Sequence, residues 1–235
     1  MRYTLEFELE NNVIPIEYRR AIISFIKKSL ELYDNALFKK YYESHEIKPF
    51  TFAVRLTRPK FDTELITLDN SLLEISFSTS ESMLGIQAYN AFSLQRNKKF
   101  NMRNNNMVLK RVIIQKDLKV NSEDILIKML SPIVLREHSK NHDFYYSVKH
   151  KDFERVWSNQ IKYQLERLLV RDVGGLLIKK VRPQMVVVKH YDQFIESSIG
   201  SYVLKGAPHI LQTLYDAGMG SKSSAGFGMF EVLKQ

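Results

Sequence analysis

The chain has 235 residues, 44% of them hydrophobic, enough to bury one large core or two small ones. It contains no cysteine, which excludes disulfides, Cys-ligated zinc and thiol nucleophiles. A net charge of +9 implies an anionic partner: nucleic acid, an acidic membrane surface or an acidic protein.

The opening residues, MRYTLEFELE, alternate apolar and charged side chains and predict a strand over 3–10, not a signal peptide. No apolar run approaches the roughly 20 residues that span a bilayer. A cytoplasmic protein with no membrane partner is therefore expected. Ile16, Ala21, Ile22, Phe25, Ile26 and Leu30 recur at helical spacing after Pro15 and predict a helix. FTFAVRL (50–56) and LLEISFST (72–79) read as strands. SESMLGIQAYNAFSL (80–94) reads as a helix capped by Ser80 or Ser82, and MVLKRVIIQ (107–115) as a strand. Strand, helix, strand, strand, helix, strand is the order of the ferredoxin-like fold.

The second half repeats that order less regularly. DILIKMLSPIVL (124–135) reads as a strand entering a turn at Ser131-Pro132, and FYYSVK (144–149) as a short strand. A strong helix is expected over 151–170. LLIKKVRPQMVVVKHY (176–191) reads as two strands meeting near Arg182-Pro183. SYVLKGA is a further strand, APHILQTLYDAG a helix with Pro208 in its first turn, and GFGMFEVLK a closing strand. The expected class is α+β, two tandem ferredoxin-like (RRM-like) domains. They are 1–118 and 119–235, divided in QKDLKVNSED (115–124).

Four of the nine glycines, Gly218, Gly220, Gly226 and Gly228, fall in DAGMGSKSSAGFGMFEVL. The segment follows a helix and precedes a strand, the reverse of a Rossmann fingerprint, and it lacks the spacing of a P-loop. Gly218 suits a helix C-cap. Backbone N–H groups together with Ser221, Lys222 and Ser223 suit a phosphate cradle, while a plain cap followed by a bulged strand accounts for the glycines equally well. Cations without nearby acids, Arg96, Lys98, Lys99 and Arg103 among them, suit a loop that contacts RNA backbone and bases. Arg155, Lys162, Arg167, Arg171, Lys179, Lys180 and Arg182 suit one basic face, although Glu154 and Glu166 can pair within it.

EHSKNH places His138 and His142 at a ligand spacing, but in a polar segment expected to be a loop, so no metal is expected there. His150, His190 and His209 have no partner the sequence identifies. FYY (144–146) and Trp157 read as packing residues. His45, in a polar connection ahead of a strand, has the side chain best suited to general base or acid work near neutrality.

GMGSKSSAGFGMFEV resembles the C-terminal glycine-rich loop of the RAMP superfamily of CRISPR-associated proteins. More narrowly it is similar to that of the repeat-processing endoribonucleases, the "Cas six" family. MLSPIVLRE (129–137) and HEIKPFT (45–51) resemble further segments of that family, and the order of elements agrees along the whole chain. The resemblance implies a metal-independent endoribonuclease that needs no cofactor. It would cut CRISPR repeat RNA by attack of the 2′-OH, leaving a 2′,3′-cyclic phosphate and a 5′-OH. It implies His45 as general base and Lys48 as the phosphate-stabilising cation. A tyrosine of the first helix is common in the family; Tyr33 is the nearest by position, with Tyr41 and Tyr42 as alternatives and Lys28 as a partial substitute and RNA contact. The general acid is left open. The resemblance equally allows a non-catalytic RNA-binding subunit, with a homodimer or other CRISPR effector subunits as partners. A generic RRM-like binder is the third reading, for which paired aromatics on the signature strands are missing.

Overall fold

The computed structural model describes residues 1–44, 47–139, 142–171 and 174–235. In the first half β1 (Arg2–Leu9) lies at the middle of a five-stranded antiparallel sheet. The other strands are β3 (Phe50–Arg55), β6 (Leu72–Thr79), β8 (Asn105–Ile114) and β7 (Lys99–Met102), in the order β3-β6-β1-β8-β7. The period-two pattern of β1 sends Tyr3, Leu5, Phe7 and Leu9 into the core. Above them lie Ile22, Phe25, Ile26 and Leu30 of α1 (Tyr18–Tyr33) and Leu84, Ala88 and Phe92 of α3 (Ser82–Ser93). A small sheet, β2 (Val13–Pro15), β5 (Leu65–Thr67) and β4 (Lys60–Phe61), stands beside it.

Two local expectations change in this half. The α3 helix is preceded by Glu81, which makes no side-chain cap bond, so neither Ser80 nor Ser82 caps it. The Glu81 carboxylate instead accepts from Tyr41 and pairs with Lys40 at 3.3 Å. A further helix, α2 (Asn35–Tyr42), follows α1 after a break at Asp34. The Asp34 carboxylate accepts from the amides of Ala36 and Leu37, which caps α2 and ends the run of α1.

The second half contains β9 (Asp124–Met129), β10 (Leu135–Ser139), β11 (His142–Tyr146), α4 (Phe153–Arg167), β12 (Leu177–His190), β13 (Gln193–Lys205), α5 (Pro208–Ala217) and β14 (Phe230–Lys234). The four-stranded order β12-β13-β9-β14 repeats that of β3-β6-β1-β8 when each is counted along its own half: second, third, first, fourth. This is the ferredoxin-like arrangement twice over, as expected. The first buried cluster runs from Tyr3 to Leu109 and the second from Val120 to Phe230. We propose the domain division within the joining segment, where Leu118 already packs on the second cluster.

Residues 177–190 form one strand, not two. Pro183 pairs with Gly200, and a bulge between Lys180 and Arg182 absorbs the irregularity. β12 is an edge strand, the place where a residue without an N–H is tolerated in a sheet. EHSKNH belongs to the β10–β11 hairpin rather than a loop. Of FYY, Phe144 is exposed with its ring against Tyr146 and His150, whereas Tyr145 and Tyr146 are half-buried and pack on the core clusters, and Trp157 is fully buried. No helix among the described residues is long and apolar enough to cross a membrane.

Candidate nucleic-acid interface

The glycine-rich segment lies in the seam between the two halves. α5 ends at Gly218 (φ 79°), whose N–H donates to Leu214 O at 2.9 Å. The chain then runs beside the Ser131-Pro132 segment: Ser221 N donates to Val134 O, Gly228 N to Pro132 O and Met229 N to Ser131 Oγ. Its other side meets the edge strand β3, where Thr51 Oγ1 donates to Phe227 O at 2.9 Å. A Cβ at Gly218 would stand 2.7 Å from that of Thr51, and one at Gly226 (φ 87°) 2.5 Å from the Phe52 ring. A side chain would thus push the halves apart.

This corrects the phosphate-cradle reading at four positions. Gly218, Ser223, Gly226 and Gly228 are buried and present no surface to a polyanion. Gly220, Ser221 and Lys222 remain half-buried at the outer side.

Around that outer side the fold gathers cations that lie far apart in sequence. Arg19, on the first turn of α1, stacks 4.9 Å over Phe227 and donates from Nε to Gly226 O at 3.3 Å. The other flank of Phe227 is the His190 ring, with centroids 5.3 Å apart. Burial, then the charges of Lys222 and Arg19, lower the His190 pKa to about 4. Burial, then Arg136, also lowers that of Lys222. The turn of the β12–β13 hairpin is tied to the start of α1: Arg20 pairs with Glu17 at 3.4 Å and Asp192 at 3.5 Å and lies 5.0 Å over Tyr191, and Asp192 N donates to Glu17.

Beside this tie runs a groove of about 810 Å³ shared by both halves. Arg20, Lys27 and Arg103 line it from the first half, Lys189 and Tyr191 from the second; Glu17, Glu64 and Asp192 are its acids. Of the expected RNA contacts, only Arg103 lines this groove. Arg96 is exposed and donates to Lys110 O, and Lys98 and Lys99 are exposed nearby at β7. Lys180 pairs with Glu154 of α4 at 3.4 Å, and Arg182 is exposed on β12. Arg19, Arg20, Lys27, Lys189 and Tyr191 were missed. The available signal was Arg20, Ser24 and Lys27, a polar stripe at helical spacing on an amphipathic helix.

His45 lies outside the described residues. Lys48 is half-buried, its Nζ 5.1 Å from the centroid of the Tyr42 ring, and Lys27 Nζ stands 4.9 Å from the same centroid. Burial, and after it the charge of Lys27, lowers the Lys48 pKa. The Tyr42 hydroxyl is buried without a hydrogen-bond partner among the described residues, and burial raises its pKa. Tyr33 turns instead to α3, where Asn90 donates to its hydroxyl at 3.4 Å. Lys28 pairs with Glu31 at 3.0 Å. Of the candidate tyrosines, Tyr42 and not Tyr33 lies beside Lys48, and the lysine of α1 at the same ring is Lys27, not Lys28. His138 Nδ1 lies 2.7 Å from Asp143 Oδ1, and no group of three or more metal-ligating side chains occurs among the described residues.

A family model described as CRISPR associated protein Cas6, C-terminal, matches residues 114–232, half of the chain. The chain belongs to the Cas6 family. A structure of a Cas6-related protein from Pyrococcus furiosus superposes with a TM-score of 0.88 at 17% identity, over 100% of this chain and 99% of that one. A RAMP protein described as binding different RNA substrates gives 0.85 at 17% identity, over the whole of both chains. A Cas6 product complex gives 0.72 at 16% identity, over 99% of this chain and 100% of that one. No curated protein matches in sequence. At these identities the solved structures establish that this Cas6-family chain shares their fold; the residues of the groove are argued on its own geometry.

Proposed function

We propose that this Cas6-family protein binds CRISPR repeat RNA in the groove between its halves and cleaves it by attack of a ribose 2′-OH on the adjacent phosphate, without a metal. The reading rests on the family and on one observation: Lys48, with its lowered pKa, shares the Tyr42 ring with Lys27, and Lys27 lines the groove. The reaction needs a base for the 2′ proton, a cation for the charge on the phosphorane and an acid for the departing 5′ oxygen. His45 is proposed as the base on the resemblance, and Lys48 as the cation. The products would be a 2′,3′-cyclic phosphate and a 5′-OH. RNA carries its own nucleophile, so the chain's lack of cysteine is no obstacle.

The test is single-turnover cleavage of repeat RNA in EDTA by the native protein, His45→Ala and Lys48→Ala. Cleavage by the native protein and losses of roughly 10²-fold or more in both variants are expected. Native cleavage only with added divalent metal overturns the mechanism, and an unaltered His45→Ala removes that residue from it. A second reading, an RNA-binding subunit without cleavage, is favoured by the likeness to a RAMP protein described as binding different RNA substrates. It predicts equal, undiminished binding of repeat RNA with ribose or 2′-deoxyribose at every position and no cutting of either.

A further inference from the structure

Lys27 and Lys48 approach one ring from two elements, α1 and the segment ahead of β3. Neither makes a salt bridge among the described residues. Two ammonium groups gathered within about 5 Å of one centroid repel each other, and the charge of Lys27 contributes to the lowered pKa of Lys48. Such a pair is costly in the free protein and is relieved by an anion that touches both. Tyr42 keeps the pair in place. Its ring stacks on Phe38 at 5.4 Å, and its hydroxyl is buried, so the aromatic face and not the polar tip is what the lysines meet. Lys27 also lines the groove between the halves.

We infer that Lys27 and Lys48, both gathered at the Tyr42 ring, together bind one phosphodiester group of the RNA, one ammonium to each non-bridging oxygen. Lys27 is thereby a second cation at the phosphate that Lys48 is proposed to stabilise, and Tyr42 is a positioning residue. This rests on the proposed function for the identity of the phosphate, but not for the existence of the anion site. A phosphodiester suits the pair because its single charge is spread over two oxygens and two ammonium groups can share it.

The experiment uses the full chain with Lys27→Ala, Lys48→Ala, the double variant, Tyr42→Phe and Tyr42→Leu, each checked for an unchanged thermal melt. Two quantities are read: single-turnover cleavage of repeat RNA, and the salt dependence of binding to the same RNA with a 2′-deoxyribose at the cleavage position. Lys27→Ala is expected to slow cleavage roughly 10- to 100-fold and to reduce the slope of log K against log salt by about 0.7, one single-strand phosphate contact. The double variant should be slower than the worse single variant by less than the product of the two effects, because both act on one group. Tyr42→Phe should stay within about threefold of native, whereas Tyr42→Leu should slow cleavage and raise the Lys48 pKa toward its ordinary value in an NMR titration of 13C-labelled lysines. A loss of fold would return that pKa to its ordinary value as well, because burial is its main cause, so the titration counts only in variants whose thermal melt is unchanged.

Native cleavage rate and native salt slope in Lys27→Ala overturn the proposal, as does a double variant whose effects simply multiply. If the native protein cuts no repeat RNA, the cleavage reading fails separately. The anion site is then judged by the salt slope alone: a reduced slope in both single variants supports it, and an unreduced slope overturns it.

Discussion

His190 illustrates what a single side chain meets when distant segments converge. It is 3% exposed, caught between Tyr191 and Phe227, with Lys222 and Arg19 close enough to oppose its protonation. Its pKa of about 4 in the folded protein lies below the 6.5 of an ordinary histidine. Between those values the unfolded chain binds the extra proton and the folded chain does not, so stability is complete above pH 6.5 and falls as pH drops toward 4. The full loss from this group is about 3 kcal/mol. Urea titrations at pH 7 and pH 4.5 should show this decline, and His190→Gln should lose most of it. An equal decline in the variant would assign the acid sensitivity elsewhere. His190 had no legible partner in the sequence because Arg19 comes from α1 and Lys222 from the terminal segment, with most of the chain between them.

At the scale of elements, the glycine-rich segment acts as a spacer of fixed thickness. It fits between the Ser131-Pro132 segment and β3 only because its backbone touches both. Gly226→Ala would add a methyl group 2.5 Å from the Phe52 ring at a φ of 87°. Overpacking and the left-handed backbone together should cost about 2–4 kcal/mol. The cost should show as a lowered urea midpoint, and Phe52→Leu in the same chain should recover part of it through the space it frees. If the double variant shows the two losses added in full, the contact is not what requires glycine. Most elements were legible, since β1, α1, α4 and the repeated order follow from hydrophobic period alone. The seam was not, because a run of glycines says that backbone comes close without saying to what. Pro183 misled for a related reason: a proline breaks a central strand but not an edge strand, and edge position is a property of the sheet. The short α2 was missed because Asp34 interrupts a helical pattern that resumes at the next residue, Asn35.

At the scale of the molecule, the charge of +9 is not spread evenly in its effect. Many cations are already paired on the outer surfaces: Lys110 with Glu8, Arg111 with Glu6, Lys128 with Glu231 and Lys205 with Asp124. Composition pointed to an anionic partner but not to the groove, since the cationic runs that stood out in the sequence are partly those neutralised by the neighbouring strand. Arg103 and Lys189, brought to one groove from opposite halves, form no salt bridge within 4 Å among the described residues. If a strand of RNA lies there, each contributes one phosphate contact, and each contact adds about 0.7 to the slope of log K against log salt. Arg103→Ala with Lys189→Ala should therefore reduce that slope for repeat RNA by about 1.4, lowering affinity most at low salt. Lys128→Ala, which removes the same kind of charge outside the groove lining, should leave the slope nearly unchanged, because its ammonium pairs with Glu231 at 3.7 Å. Comparing the variants at matched temperature separates a local path for the strand from a general attraction by net charge. A general attraction would make the per-charge loss equal wherever the cation stands, and that result would remove the groove as the binding surface.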